Sequence, residues 1–375
     1  MGKTCFLTES KAVANSSRTA RVLVVTPVGI EGRGGIDRLN LYLHEYMSQR
    51  GTSRDIRFIG SRGELADPFW VFTFIRALIL FGMACIGGRY DVAHIHVSTN
   101  GSAMRKVVFG WLARKLGMPY IIQFHGMMSP AIEAERKPWF RALSRLSAGA
   151  SGVIILGEAY RAPFERMGVK PERIVVVHNG IPDIGVDAVI PRSDHPCVNI
   201  LFSGELGERK GSNLLIEALA KLRESATEWR CTIAGNGDAK DLKELARSGG
   251  ILERIEFTGW IDIGRVHELM QASDIVVLPS RAEALPLALI EGASAGAALI
   301  ATDVGAVRDV VVDQLNGFIV DREVESLARA LQKLIEDQTL RSRMQIASRE
   351  LYRERFQIAH FAAAMRGLHE KHRRY

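Results

Sequence analysis

Two glutamates, Glu283 and Glu291, stand eight positions apart in the stretch 279–296, PSRAEALPLALIEGASAG. The apolar run before them, DIVVLP (274–279), reads as a buried strand feeding a loop, and the residues from Pro286 to Gly296 read as a helix. Proline suits the first helical position because its missing N–H would be unpaired there anyway. Glu283 then lies in the strand-to-helix loop and Glu291 inside the helix, about a turn and a half further on. Between them the free N–H groups of a helix start attract a diphosphate. A carboxylate on either side of a phosphate cradle suits a sugar nucleotide: one accepts hydrogen bonds from the sugar, the other from the ribose hydroxyls. Two ordinary glutamates at a helix start explain the pair alone equally well, so the surrounding chain has to decide.

At 375 residues, 47% hydrophobic and 24% charged, the chain is globular and long enough for two domains. Short apolar runs separated by helical patterns recur through it. RVLVVTP (21–27) reads as a first parallel strand, followed by the glycine-rich loop GIEGRGG and a helix from about Ile36 to Arg50. The glycines do not fall in the G-x-G-x-x-G spacing of a dinucleotide site. Strands follow at 91–96, 119–126, 150–157 and 172–181, and the polar segment 181–196 breaks the pattern as an interdomain linker. A second series runs through 198–204, 229–238, 254–260, 274–279 and 317–320, with a tail from Val324 that reads as helical throughout. The expected class is α/β, with two doubly wound Rossmann-like domains facing across a cleft. Its parts are a disordered tail at 1–20, a first Rossmann-like domain at 21–185, a second at 197–350, and a last helix at 351–375.

The two glutamates, the EALP around the first, the preceding strand and the small residues after the second together resemble the E-x7-E signature of retaining GT-B glycosyltransferases, family 4. The resemblance covers roughly 20–350. It implies a GT-B fold and a nucleotide-sugar site built from Gly34, Gly35, Arg209, Lys210, Trp260, Glu283, Ala284, Leu285, Pro286, Leu287 and Glu291. Glu283 would hold the transferred sugar and Glu291 the ribose, while Lys210 and backbone amides stabilise the leaving diphosphate. The resemblance makes 21–185 the acceptor side and 197–350 the nucleotide-sugar-binding side, and the last helix would cross back to the first domain. Three positions depart from the pattern. Glu205 stands where the family usually has arginine, with Arg209 adjacent to the retained Lys210-Gly211. Ala284 replaces a glycine, and Gly305-Ala306 with Asp309 replace Gly-Gly and Glu. Trp260 suits either the face of a base or core packing.

His125 closes the strand 119–126 before Gly126, at the carboxyl end where open α/β sheets bind ligands. It matches the family's strand-end histidine near donor sugar and acceptor, so it joins Glu283 and Lys210 as a catalytic candidate; His94 and His96 rank lower. Asn100, with Arg105 and Lys106 one turn into the next helix, suits an acceptor-side phosphate or, equally, a solvated basic face.

Charge is uneven: residues 1–190 hold 24 Lys/Arg against 15 Asp/Glu, and the remainder 25 against 27. The basic half suits an anionic membrane surface or a phosphorylated acceptor, and no motif supports nucleic acid. Residues 69–87 are the most apolar stretch, with Arg76 near the middle; a buried or membrane-leaning helix is expected rather than a true span. Arg136, Lys137, Arg141 and Arg145 are the basic candidates beside it. Four scattered cysteines favour reduced thiols, and the first 20 residues lack the apolar core of a signal peptide. The expectation is a cytoplasmic enzyme, peripheral at the inner face of the membrane. It would use no cofactor and no metal, and would take a hexose from a UDP- or GDP-sugar to a saccharide or lipid-linked saccharide in bacterial polysaccharide assembly. A sugar-nucleotide epimerase and a non-catalytic binding protein are the alternatives.

Overall fold

The computed structural model describes residues 19–30, 32, 34–62, 69–126, 138–185 and 197–374. The first half runs β1 (Val22–Thr26), α1 (Gly35–Gln49), β2 (Ile56–Gly60), α2 (Trp70–Ile86), β3 (Val92–Val97), α3 (Gly101–Lys115), β4 (Tyr120–Phe124), α4 (Pro138–Ala148), β5 (Gly152–Ile155), α5 (Arg161–Arg166) and β6 (Ile174–Val176). The second runs β7 (Cys197–Ser203), α6 (Ser212–Ala220), β8 (Glu228–Ala234), α7 (Lys240–Ser248), β9 (Ile255–Gly259), α8 (Ile263–Ala272) and β10 (Ile275–Leu278). It continues with α9 (Leu287–Ser294), β11 (Ala298–Thr302), β12 (Gly317–Val320), α10 (Val324–Glu336), α11 (Gln338–Arg355) and α12 (Ile358–Lys371).

Each half forms a six-stranded sheet, ordered β2-β1-β3-β4-β5-β6 and β12-β11-β10-β7-β8-β9, with every strand pair parallel. These are the two facing Rossmann-like sheets expected. Strands β1, β4, β5, β10 and β11 are buried at every position, as near-continuous Val, Ile and Leu runs must be when helices cover both faces.

The C-terminal tail, expected to be helical throughout with a last helix at 351–375, is three helices, the last of which starts at Ile358. Asp337 accepts from Leu340 N–H at 2.8 Å and starts α11 afresh. At Gln357 the chain leaves helix to pair with Ile181: Ile181 N–H donates to Phe356 C=O at 3.0 Å, and Ile358 N–H to Ile181 C=O at 2.9 Å. A Cβ on Gly180 would lie 2.4 Å from the Phe361 Cβ, so the two chain passes touch there without room for a side chain. Beyond this crossing α12 lies on α1 and brings His369 against His94.

Helix α2 buries one face only. Ala77, Phe81 and Cys85 point inward, and Phe74 and Phe81 meet the Phe109 ring of α3 edge-on at 5.8 and 5.2 Å. Its other face is open, and no helix among the described residues is long and apolar enough to cross a membrane. Phe81→Ala should destabilise the protein by about 3–5 kcal/mol, because the ring is fully enclosed and a cavity would remain. Urea unfolding followed by circular dichroism measures this, and an unchanged midpoint would show that α2 does not depend on that ring.

Candidate active site

A doubly wound sheet opens a crevice where its strand order reverses. In the first sheet the reversal lies between β1 and β3, so the loop 27–34 after β1 rises at that point. In the second it lies between β7 and β10, whose following loops are 204–211 and 279–286. These loops border one cleft of about 850 Å³ between the two sheets. The sequence candidates Gly34, Gly35, His125, Arg209, Lys210, Trp260, Glu283, Ala284, Leu285, Pro286 and Leu287 all line it.

Lys210 and Glu283 meet across the second reversal. Lys210 Nζ donates to Glu283 Oε1 at 2.6 Å, and Ser280 Oγ donates to the same oxygen at 2.6 Å. Two glycines make that approach possible. Gly211 caps α6 with φ of 77°, and a Cβ there would stand 2.2 Å from the Pro279 carbonyl. Gly305 has φ of 61°, and a Cβ would stand 2.1 Å from the Glu283 carbonyl. Tyr160 of the first half donates to the Glu283 carbonyl at 3.1 Å, so both halves hold the loop. Pro286 is the residue before α9 rather than its first helical residue, with ψ of 117°. The helix start with Leu287 and Ala288 still faces the cleft. Trp260 is 52% exposed on the cleft rim, which removes core packing as its reason.

Glu291 behaves differently. It is fully buried and does not border the cleft. Arg38 of α1 donates through Nη1 to Oε1 at 2.9 Å and Oε2 at 3.1 Å, and Tyr42 Oη donates to Oε1 at 3.0 Å. Tyr42 has a single hydrogen, so His267 Nε2, 2.8 Å away, must donate to Tyr42 Oη. Burial lowers the His267 pKa, consistent with that neutral tautomer. Glu205, in place of the usual arginine, receives Arg209 Nη2 at 2.7 Å in an exposed pair.

The loop after β1 is shaped by Asp37 at the start of α1. The buried carboxylate accepts from Thr26 Oγ1 at 3.3 Å and Val28 N–H at 3.4 Å. A Cβ on Gly32 would stand 2.3 Å from Asp37 Oδ2. Burial raises the Asp37 pKa, and bonds from Val28, Gly29, Thr26 and Gly34 oppose this.

Asn100, Arg105 and Lys106 do not border the cleft. Lys106 is buried, donating to the Thr26 carbonyl at 3.0 Å and to Ser61 Oγ, so it braces β1 from below and presents no charge to an acceptor. Its pKa is lowered by burial. Arg105 is half-buried and its pKa is lowered by burial and then by the charge of Arg62, a residue that does line the cleft. Arg136 and Lys137 lie outside the described residues.

His125 is the cleft end of a histidine stack. Its Nε2 lies 2.9 Å from His96 Nδ1 with the rings parallel to 8°, the His96 and His94 rings lie 4.6 Å apart at a tilt of 32°, and His94 Nδ1 lies 3.1 Å from His369 Nε2. Burial pushes His125 down to about 3 and His369 to about 4, and lowers His94 and His96 as well, with neighbouring histidines adding to it.

Arg38, Tyr42, Arg62, Asn179 and His267 escaped the sequence reading. Arg38 had a signal: a cation in the first turn of a helix opposes the macrodipole, so it needs a carboxylate from elsewhere. Tyr42, four residues on, shares its face. Asn179, in the HNG after β6, lines the cleft with its buried Oδ1 unpaired within the protein.

Residues 192–351 match the family described as glycosyl transferases group 1, and residues 9–180 a glycosyl transferase 4-like domain. The chain is 27% identical to an alpha-D-kanosaminyltransferase of Streptomyces kanamyceticus over 67% of this chain and 70% of that one. It is 26% identical to a phosphatidyl-myo-inositol mannosyltransferase of Mycobacterium leprae over 83% and 80%. Among solved structures, Anabaena HepE in complex with UDP-glucose superposes with a TM-score of 0.73 at 19% identity, over 94% of this chain and all of that one.

The histidine stack predicts a pH dependence. Its members have folded pKa values below the unfolded value of about 6.5, so stability is complete above that pH. Below it the unfolded chain binds protons that the folded chain refuses, and stability falls as pH drops towards about 4, the value for His369. Each histidine adds a slope of about 1.4 kcal/mol per pH unit in that window. Thermal melts should show His369→Phe with a shallower decline than the parent chain. Equal slopes would mean that His369 is not held neutral.

Proposed function

Because this chain belongs to the glycosyl transferases group 1 family, we propose that it is a retaining hexosyltransferase using a UDP- or GDP-sugar and a saccharide hydroxyl. The observation that carries this reading is the meeting of Lys210 and Glu283 beside the start of α9, on the two loops of one reversal point. A diphosphate placed there meets an ammonium and free helix amides, while Glu283 and Ser280 offer acceptors to a sugar. In front-face transfer the bond from the sugar to the diphosphate breaks as the acceptor oxygen bonds on the same face. The acceptor proton passes to the leaving diphosphate, and Lys210 stabilises its charge. His125 stands on the opposite wall, at the side of the transferred sugar. The cationic side chains and the helix start serve where a divalent ion would otherwise hold the diphosphate, so no metal and no cofactor belongs to this reading.

The setting proposed is assembly of a bacterial polysaccharide or lipid-linked oligosaccharide, on the inner face of the cytoplasmic membrane. Its support is α2 and its neighbour. Phe72, Ile75, Ile79, Met83 and Ile86 form an open apolar stripe, with Phe72 70% and Ile86 74% exposed, and Met104 and Trp111 continue it onto α3. A patch of that kind on a folded surface marks an interaction site. From 69 to 118 the sequence holds six Arg/Lys and one acid, Asp91, which is paired with Arg21. Arg76, Arg114 and Lys115 are exposed there, and Arg141 and Arg145 share the exposed face of α4, which packs on α3. Apolar residues rimmed by cations suit an anionic lipid surface.

Labelled nucleotide sugars, incubated with and without a lipid-linked acceptor fraction, test the reaction. Transfer should require the acceptor, survive EDTA, and fall by about a hundredfold or more in Glu283→Gln. Donor turnover without acceptor would instead identify an epimerase, binding without turnover a non-catalytic protein, and rescue by Mg²⁺ after EDTA a metal enzyme.

Flotation with anionic vesicles tests the surface. The chain should float at low salt, and a Phe72→Ser, Ile79→Ser double variant should not. No flotation of the parent chain at low salt removes the membrane contact, and flotation of both proteins alike removes α2 from it.

A further inference from the structure

Three of the cleft's cations face carboxylates: Lys210 on Glu283, Arg209 on Glu205 and Arg38 on Glu291. On the wall formed by the second half, Lys210 and Arg209 are balanced by Glu283 and Glu205. The glutamate standing in the usual arginine position removes the positive surplus that a diphosphate needs. Arg38 lines the same cleft from the opposite wall, within the first turn of α1 beside Gly34 and Gly35. Its partner Glu291 is fully buried, and Arg38 and Tyr42 stand on it, so ribose hydroxyls and Arg38 compete for the same carboxylate oxygens.

We propose that Arg38 is a ligand of the donor's diphosphate, supplied by the first domain, and that it exchanges Glu291 for the phosphates as the ribose takes over that carboxylate. This rests on the nucleotide-sugar reading above and deepens it. The exchange is balanced in charge. A guanidinium leaves one anion for another, and a buried carboxylate passes from one set of donors to a second, so neither is left unpaired at the end. An arginine fork matches phosphate oxygens as it matches a carboxylate, which lets one side chain serve both. The same step ties the two domains together through the ligand, since Arg38 is held from α1 and Glu291 from α9.

The exchange makes an unusual prediction. Removing Arg38 takes a ligand from the diphosphate but removes a competitor from the ribose. In Arg38→Ala, affinity for a nucleoside diphosphate should fall about ten- to a hundredfold, while affinity for the matching nucleoside stays level or rises. UDP, GDP and ADP with uridine, guanosine and adenosine are the probes, read by calorimetry. Tyr42→Phe, which keeps the cation and removes only a donor to Glu291, should leave nucleoside diphosphate affinity level or higher. Melting curves confirm that each variant is folded, and Arg38→Gln replaces Arg38→Ala if the latter is not. A merely structural role for Arg38 would weaken nucleoside and nucleoside diphosphate alike, and that result overturns the exchange. So does a diphosphate affinity that Arg38→Ala and Arg38→Gln leave unchanged while the parent chain binds. A parent chain that binds none of the three diphosphates overturns the donor reading, and the exchange with it.

Discussion

A parallel strand delivers its following loop at one end only, and the chemistry of this protein depends on that constraint. All twelve described strands run parallel within their sheets, so every strand-to-helix loop of a sheet rises on the same side. Where strand order reverses, two of those loops diverge and leave a crevice. Facing the two crevices brings together residues distant in sequence: Gly35 with Leu287, Tyr160 with Glu283, Arg38 with Glu291. Neither half holds such a site alone.

Electrostatics then decides how the cleft rests. A carboxylate as enclosed as Glu291 is strongly unfavourable unless donors surround it; Arg38 and Tyr42 are those donors, and His267 holds Tyr42 from behind. The glycine loop follows the same logic, wrapping Asp37 in backbone N–H groups. Lys106 is the counterpart at the end of β1, a buried amine that braces the Thr26 carbonyl. Buried charges in the first half are therefore largely structural, while those on the second half's loops remain partly open to solvent.

Ten of the twelve described strands and the second half's site were legible because both are local patterns; β2 and β11 were not read. Apolar runs with helical spacing between them give the elements, and the strand-loop-helix around Glu283 carries its own spacing. Placement across the cleft was not legible. Lys106 and Arg105 are adjacent in sequence, and only the packing of α3 on β3 sends Lys106 inward, to the Thr26 carbonyl and Ser61. Glu291 was read from its own helix, but its burial is imposed by α1, more than 240 positions away. The last helix was placed from 351; its start at Ile358 is set by the break at Gln357, which comes from pairing with Ile181, a contact no window of sequence contains.

That pairing also makes the first domain discontinuous. Its sheet is complete by Val176, yet the helix that covers α1 and closes the histidine stack is Ile358–Lys371. During synthesis the first sheet emerges long before its cover, and the whole second sheet is made in between. Domains generally fold as they emerge. Here the second can finish first, while the earlier-made one keeps an apolar groove open until the last helix arrives. The order of completion is the reverse of the order of translation.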